Sequence, residues 1–193
     1  MHISEIIKKN FHDNLELNKI SLNKVLPQIE LATTKIINVT DNAGKVMSCG
    51  NGGSAGDAQH IVSELVNRFE KERKEIAAVS LNSDTATITS IANDYDYKYI
   101  FSKQINAIGK KEDLLIAFTT SGNSSNICEA INSAKKIKIP VVLITGKDGG
   151  KASNLLSSED IEIRVPSDRT ARIQEIHLII IHSMCECIDE HLT

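Results

Sequence analysis

Two short segments rich in glycine or hydroxyl groups stand out, because each follows an apolar run that is typical of a buried strand. The first is Cys49-Gly-Asn-Gly-Gly-Ser54, and the second is Thr119-Thr-Ser-Gly-Asn-Ser124. Glycines let the backbone turn with positive φ, and the first N–H groups of a following helix carry partial positive charge. Each segment is therefore predicted to bind an anion.

The second segment crowds hydroxyl groups around one glycine. Ser124 is placed to cap a helix that begins near residue 126. One cap explains one hydroxyl, however, and gives Thr119, Thr120 and Ser121 no structural role. Hydroxyl and N–H groups that converge on a dianion form charge-assisted hydrogen bonds of about 1.5–3 kcal/mol each. We therefore expect a phosphomonoester site that needs no lysine.

A dinucleotide site is the alternative for the first segment, since Gly50 to Ala55 matches the loose pattern G-x-G-x-x-A. Such a site needs an acidic residue about 20 residues further on, at the end of the second strand. That strand ends in Ser80-Leu-Asn-Ser83, which contains no acidic residue, and Asp84 comes only after it. The pattern therefore favours a phosphorylated small molecule over a nucleotide.

Two pairs of possible ligands lie far apart along the chain. His60 and Glu64 are four residues apart on a predicted helix and project from one face, as do Gln174 and His182 on another. A solvated surface pair is the alternative for His60 and Glu64. If the two pairs meet, their imidazole and oxygen donors suit a zinc ion. His177 points away from His182 and is interpreted as a packed residue.

The elements that position these residues alternate between strand and helix. Short strands are predicted over residues 46–49, 77–81, 114–118, 141–145 and 161–165. This alternation predicts an α/β fold with a doubly wound parallel sheet, whose loops gather along one edge. That edge is where the anion-binding segments are expected to meet.

Helices are predicted at both ends of the chain. Apolar residues at helical spacing predict two leading helices that are separated near Pro27, and a long amphipathic helix over residues 171–192. We predict a single domain over residues 1–193, with a helical extension (1–43) and an α/β core (44–193).

Composition excludes several classes of function. The formal net charge is −3, and no basic cluster with interleaved aromatic residues is present, so nucleic acid is not an expected partner. The sequence shows neither a signal-like apolar segment nor an apolar run of spanning length, so we expect no membrane association. The four cysteines form no paired framework, and we predict reduced thiols in a cytoplasmic protein.

Four motifs in order give the chain a family resemblance. Besides the two segments above, these are Leu143-Ile-Thr-Gly-Lys-Asp-Gly-Gly150 and Arg172-Ile-Gln-Glu-Ile-His177. Together they resemble the sugar isomerase (SIS) family over essentially the whole chain. The resemblance implies a five-stranded parallel sheet between helices. It also implies an isomerase that converts D-sedoheptulose 7-phosphate to D-glycero-D-manno-heptose 7-phosphate, the first step toward the heptose of lipopolysaccharide and other surface glycans.

The resemblance also implies the roles of individual residues. Glu64 and His182 match the acid and base pair, and one zinc ion per subunit is implied at His60, Glu64, Gln174 and His182. The sugar phosphate is implied to contact Asn51, Gly52, Gly53, Glu64, Asn93, Asp94, Thr119, Thr120, Ser121, Ser124 and Gln174. Some relatives carry an aspartate where this chain has Ala171. Family members are homotetramers with active sites between subunits.

Two alternatives remain within the same fold family. A non-catalytic tetrameric regulator of replication initiation shares the Arg-Ile-Gln-Glu motif but lacks the catalytic glutamate and the terminal histidine, and both are present here. An isomerase that acts on a hexose or arabinose phosphate would use the same chemistry. Only the substrate would distinguish it.

Overall fold

The computed structural model describes residues 2–193 and contains one parallel sheet. Its strand order is β2-β1-β3-β4-β5. The strands are β1 (Val46–Cys49), β2 (Ala78–Ser80), β3 (Leu114–Thr119), β4 (Val141–Thr145) and β5 (Ile161–Arg164). All four neighbouring pairs are parallel, and the five strands predicted from the sequence are confirmed.

Seven α-helices cover the two faces of the sheet. They are α1 (Ile3–Asp41), α2 (Gly53–Val66), α3 (Thr85–Asp94), α4 (Ser102–Ile108), α5 (Ser125–Ile137), α6 (Gly150–Ser153) and α7 (Thr170–Leu192), with a 3₁₀ turn over Tyr97–Tyr99. One apolar core joins α1, α2 and α7 to one face, and a second joins α3 to α6 to the other. The α/β class is confirmed.

The three central strands are buried on both faces. Every residue of β1, β3 and β4 is buried, and alternate side chains enter the two cores. Such strands must be almost entirely apolar, because helices cover both faces of a parallel sheet. This requirement explains why runs such as residues 114–118 were recognisable as strands.

The prediction of two leading helices is wrong, because α1 is one helix of 39 residues with Pro27 inside it. The buried positions of α1 stay in phase on both sides of the proline, from Leu17 and Val25 to Ala32 and Ile36. Pro27 and Asn23 are both exposed, so water can reach the carbonyl group that the proline leaves without a donor. Continuous packing on one face therefore outweighs the local preference for a break.

A buried ion pair joins the end of α2 to α7. Arg73 Nε lies 2.6 Å from Asp189 Oδ1, and both side chains are almost completely buried. Arg73 also donates to the carbonyl oxygens of Glu64 and Leu65, in the last turn of α2. Asp189 accepts the N–H groups of Glu70 and Lys71. The segment after α2 is thus bound to α7 by a fully hydrogen-bonded network.

Helix α1 carries many exposed apolar side chains. Its exposed large side chains are Ile3, Ile6, Ile7, Phe11, Leu15, Ile20, Leu22, Leu26 and Leu31. Beside them, α1 and α7 form an apolar groove of about 660 Å³ that includes Leu22, Leu26, Ile176 and Ile179. Despite this apolar surface, none of the helices described here combines the length and apolarity needed to cross a membrane.

We predict that Asp189→Asn lowers the free energy of unfolding by about 3 kcal/mol or more, because it leaves the Arg73 guanidinium buried without its counter-charge. Urea unfolding at neutral pH and fixed protein concentration measures this loss. Glu190→Gln is the matched control, since Glu190 pairs with Lys71 on the exposed side of the same helix. It should change the free energy by less than about 1 kcal/mol.

The difference in the free energy of unfolding between the parent and Asp189→Asn should depend on pH. Burial alone would raise the pKa of Asp189, but the Lys71 N–H, the Arg73 guanidinium and the Glu70 N–H together lower it. A carboxylate with a lowered folded-state pKa stabilises the fold above its unfolded pKa, and this contribution disappears as pH falls through the folded value. The difference between parent and Asp189→Asn should therefore shrink below about pH 4. A constant difference down to pH 2 would contradict this account.

Candidate functional site

The two segments predicted to bind an anion meet at the edge of the sheet where the strand order reverses. Strands β1 and β3 are neighbours, and the chain leaves them toward opposite ends of the sheet. Such a reversal opens a crevice beyond the carboxyl ends of the strands, where α/β proteins bind ligands. The loops after β1 and β3 flank this crevice, and helices α2 and α5 begin there.

The first loop requires glycine. Gly52 has φ 57° and ψ −125°, a conformation that residues with a Cβ atom avoid. It immediately precedes α2, and no side chain caps that helix. The first N–H groups of α2 are therefore free of side-chain acceptors and can face an anion.

Three side-chain amides hold this loop in place. Asn82 Oδ1 accepts the N–H of Gly50, and Asn82 Nδ2 donates to the carbonyl of the same residue. Asn51 and Asn126 exchange two amide hydrogen bonds of 2.9 and 2.8 Å, which join the first loop to the start of α5. Tyr97 Oη also donates to Asn51 Oδ1, at 3.2 Å.

The hydroxyl groups of the second loop divide into two kinds. Thr119 Oγ1 accepts the N–H of Gly122, and Ser121 Oγ accepts the N–H of Asn123, so these two hydroxyls shape the turn. Ser124 occupies the N-cap position of α5, but its side chain makes no capping hydrogen bond. The expectation that Ser124 caps the helix while Thr119 and Ser121 have no structural role is therefore wrong. Thr120 is half-buried between them.

The loop after β4 packs against the second loop. A Cβ atom on Gly122 would lie 1.8 Å from the carbonyl oxygen of Gly149, so only glycine fits there. Ala152 N donates to the carbonyl of Gly122 at 2.8 Å, and Lys151 N donates to Asn123 Oδ1. The glycines of the third motif thus fix the second loop.

A second group of functional side chains lies between α2 and α7. His60 Nε2 is 3.1 Å from Glu64 Oε1 and 3.2 Å from His182 Nε2. Phe69 stacks on the imidazole of His182, with ring centroids 5.5 Å apart. We call His60, Glu64 and His182 the acid–base cluster. Residues that are 122 positions apart in sequence thus contact each other within one chain.

The surroundings of the acid–base cluster are mostly apolar. Cys185 is buried beside Glu64, and burial together with the Glu64 charge raises the pKa of the Cys185 thiol to about 12. The thiol is therefore neutral at physiological pH and is no nucleophile. His60 and Glu64 keep partial exposure, which leaves the cluster open to a ligand.

The donor atoms of this cluster suit a zinc ion in kind. Ligands about 2.1 Å from a tetrahedral ion lie about 3.4 Å from one another, a few tenths of an ångström longer than the two distances at His60 Nε2. That nitrogen carries at most one hydrogen and cannot donate to both neighbours at once. Within residues 2–193, however, no group of three or more His, Cys, Asp or Glu side chains is arranged to hold a metal ion. The zinc site stays a prediction.

The remaining predicted residues lie elsewhere. The Gln174 side chain lies against the first loop, since a Cβ atom on Gly53 would come within 2.3 Å of its Nε2 atom. Gln174 is eight residues before His182, about 12 Å along α7. Asn93 and Asp94 are exposed at the end of α3, where the Asn93 amide donates to the Asp94 carboxylate. One chain thus brings together His60, Glu64 and His182, but not Gln174.

Comparison with known proteins gives a consistent family match. The model described as "SIS domain" matches residues 16–146. The chain is 51% identical to the phosphoheptose isomerase of Alteromonas mediterranea, covering 97% of this chain and 95% of that protein. The structure of a phosphoheptose isomerase from Francisella tularensis superimposes with a TM-score of 0.96 at 40% identity, covering 98% and 100% of the two chains. The enzyme from Neisseria gonorrhoeae gives 0.94 at 39% identity, with the same coverage.

Sequence reasoning missed residues that hold the site in shape. Asn126 follows two serines in the second motif, and its pairing with Asn51 depends on β1 and β3 being neighbours. Phe69 lies in a polar segment after α2, where one aromatic residue among charged neighbours could have indicated a buried contact. Asn82 lies where a dinucleotide site would need an acidic residue, and only the structure shows that its amide fixes Gly50.

We predict that Ser124→Ala leaves the free energy of unfolding within about 0.5 kcal/mol of the parent, because the hydroxyl makes no capping bond. Loss of a working N-cap hydroxyl costs about 1 kcal/mol. Asp84→Ala is the control, since Asp84 accepts the N–H groups of Ala86 and Thr87 at the start of α3. Chemical unfolding of the three proteins measures the difference. Equal destabilisation by both variants would show that Ser124 is an ordinary cap.

Proposed function

The chain belongs to the SIS domain family, among the phosphoheptose isomerases, and we propose that it converts D-sedoheptulose 7-phosphate to D-glycero-D-manno-heptose 7-phosphate. The observation that carries the proposal is the meeting of Glu64 and His182 at His60, in a chain that matches these isomerases over nearly its full length. The product would supply heptose for lipopolysaccharide and other surface glycans. A non-catalytic regulator would lack this glutamate and this histidine.

The phosphate group is assigned to the edge of the sheet. The N-termini of α2 and α5 lie at this edge, and the Ser124 hydroxyl, which makes no capping hydrogen bond, can contact a phosphate there. Asn51, Gly52, Gly53, Thr119, Thr120 and Ser121 complete this proposed binding site. Charge-assisted hydrogen bonds from these groups can hold a dianion without a cationic side chain.

The acid–base cluster is assigned to the sugar carbons. Conversion of a ketose to an aldose removes a proton from carbon 1 and returns one to carbon 2 through an enediol. Glu64 takes the carbon-bound proton and returns it to the neighbouring carbon. His182 transfers the proton between the two oxygens or assists ring opening, and the Phe69 ring fixes its orientation.

We propose zinc as the cofactor, with one ion per subunit. His60, Glu64 and His182 would hold the ion with Gln174, and its Lewis acidity would polarise the carbonyl and hydroxyl oxygens of the sugar. The kinds of donor atom around His60 Nε2 support this proposal. The distance between Gln174 and His182 along α7 requires a further group, from substrate or a second subunit, to complete the set.

We propose a homotetramer with active sites between subunits. Glu64 lies about 16 Å along α2 from Gly53, so the proposed base of one chain is well separated from the first phosphate loop of the same chain. A neighbouring subunit can bring its own acid–base cluster to this loop. The exposed apolar side chains of α1 and the groove beside α7 would provide the surface for such contacts. We place the enzyme in the cytoplasm, where its four free thiols stay reduced.

We predict that the purified protein forms the aldose from sedoheptulose 7-phosphate, and that Glu64→Gln lowers kcat by 10²- to 10⁴-fold, the usual contribution of a positioned base. NMR of the sugar products and steady-state kinetics measure both effects. Glu72→Gln is the control, because Glu72 is 88% exposed and lies on the segment after α2. A correctly folded Glu64→Gln variant within tenfold of the parent would refute the assignment of the base.

We predict that dialysis against a chelator removes zinc and activity together, and that added zinc restores both. Elemental analysis should find about one zinc ion per subunit before dialysis. Because ligand imidazoles must be neutral, the amount of bound zinc should fall in acid. His60→Ala should lose the metal, whereas His12→Ala, on α1, should retain it. A protein that is fully active without zinc would remove the ion from the mechanism.

A further inference from the structure

A second carboxylate–imidazole pair lies inside the protein, apart from the acid–base cluster. Asp57 is on the second turn of α2, and His177 is on the third turn of α7. His177 is completely buried, and Asp57 is 6% exposed. Asp57 Oδ2 and His177 Nδ1 are 3.8 Å apart, and within residues 2–193 neither atom has a hydrogen-bond partner.

The other nitrogen of His177 determines where the protons are. His177 Nε2 lies 3.1 Å from the carbonyl oxygen of Thr145, which can only accept, so Nε2 carries a hydrogen. If Nδ1 carried none, its lone pair would face the Asp57 carboxylate, with two buried acceptors and no donor between them. One proton between Nδ1 and Oδ2 satisfies both atoms. A charge-assisted hydrogen bond requires the two atoms to be only about 1 Å closer.

The position of this pair links the two halves of the site. Asp57 is four residues after Gly53 and three before His60, and His177 is three residues after Gln174 and five before His182. Through Thr145 the pair also reaches the end of β4. The Arg73–Asp189 ion pair joins the same two helices beyond the acid–base cluster. A polar pair thus lies between α2 and α7 on each side of His60, Glu64 and His182 along the helices.

We propose that Asp57 and His177 share one proton and act as positioning residues, which fix α2 against α7 and so set the spacing of Glu64 and His182. Neither side chain is assigned a contact with substrate. The kinetic part of this inference rests on the proposed isomerase function. The shared proton does not, since it follows from the buried geometry alone.

The shared proton can be tested in the whole parent protein by ¹⁵N NMR of labelled histidine near neutral pH, with His177→Phe to assign the signals. We expect Nε2 of His177 to be protonated and Nδ1 to be protonated or strongly hydrogen-bonded. We also expect the Nδ1 signal to change in Asp57→Ala. A bare Nδ1 in the parent, or a signal that is the same in Asp57→Ala, would overturn the proposal whether or not the protein is an isomerase.

The positioning role is tested by comparing Asp57→Ala with Asp57→Asn. We expect Asp57→Ala to lower kcat at least tenfold with KM within threefold, because the phosphate loops remain intact. Asp57→Asn should recover kcat to within threefold of the parent, since its amide can donate to a neutral Nδ1. Asp41→Ala breaks an exposed pair with His191 and should change neither constant.

Two kinetic outcomes would overturn the positioning role. One is a folded Asp57→Ala variant with kcat within twofold of the parent. The other is an Asp57→Asn variant that is no more active than Asp57→Ala. If Asp57→Ala does not fold, two measurements still decide the proposal. One is the protonation of His177 in the parent. The other is the kcat of Asp57→Asn, which must remain within threefold of the parent.

Discussion

The buried ion pair between Arg73 and Asp189 is the constraint on which the geometry of the acid–base cluster depends. Burial of two charges is favourable only when all their polar atoms have partners. Here the guanidinium also binds the last carbonyl groups of α2, and the carboxylate also binds two backbone N–H groups. One of those carbonyls belongs to Glu64 itself. The network therefore fixes the backbone of the proposed base against the helix that carries His182.

The fold could be predicted where local pattern and tertiary packing require the same residues. The central strands are buried on both faces, so their apolar runs are visible in the sequence. The Arg73–Asp189 pair was not predictable in this way, because its residues are 116 positions apart. Nothing local distinguishes Arg73 from Arg68, which pairs on the surface with Glu72. The predicted helix break near Pro27 was wrong for the same reason. Packing of α1 on the core outweighs the local tendency of proline to end a helix.

Within the candidate site, the sequence indicated which residues belong to the site more readily than what each of them does. Glycines and hydroxyls after two strands indicated an anion site, and the neighbouring positions of β1 and β3 bring both loops to one crevice. The sequence could not tell which hydroxyls shape the turn and which remain free, because that depends on the backbone of the loop. Thr119 and Ser121 bind N–H groups of their own turn, and Ser124 does not. Position in a motif therefore did not determine the role of a hydroxyl.

The two parts of the site differ in how they are stabilised. The edge proposed to bind phosphate is built from loops that amide side chains and close glycine contacts hold in place. The acid–base cluster is built from helices, on which side chains are located by helix packing. Because α2 carries Gly53 at its start and Glu64 near its end, a rigid α2 keeps the first loop and Glu64 about 16 Å apart along the helix within one chain. In the proposed tetramer, a second subunit would bring these two parts to one sugar phosphate, and the exposed apolar side chains of α1 would supply contact surface for that assembly.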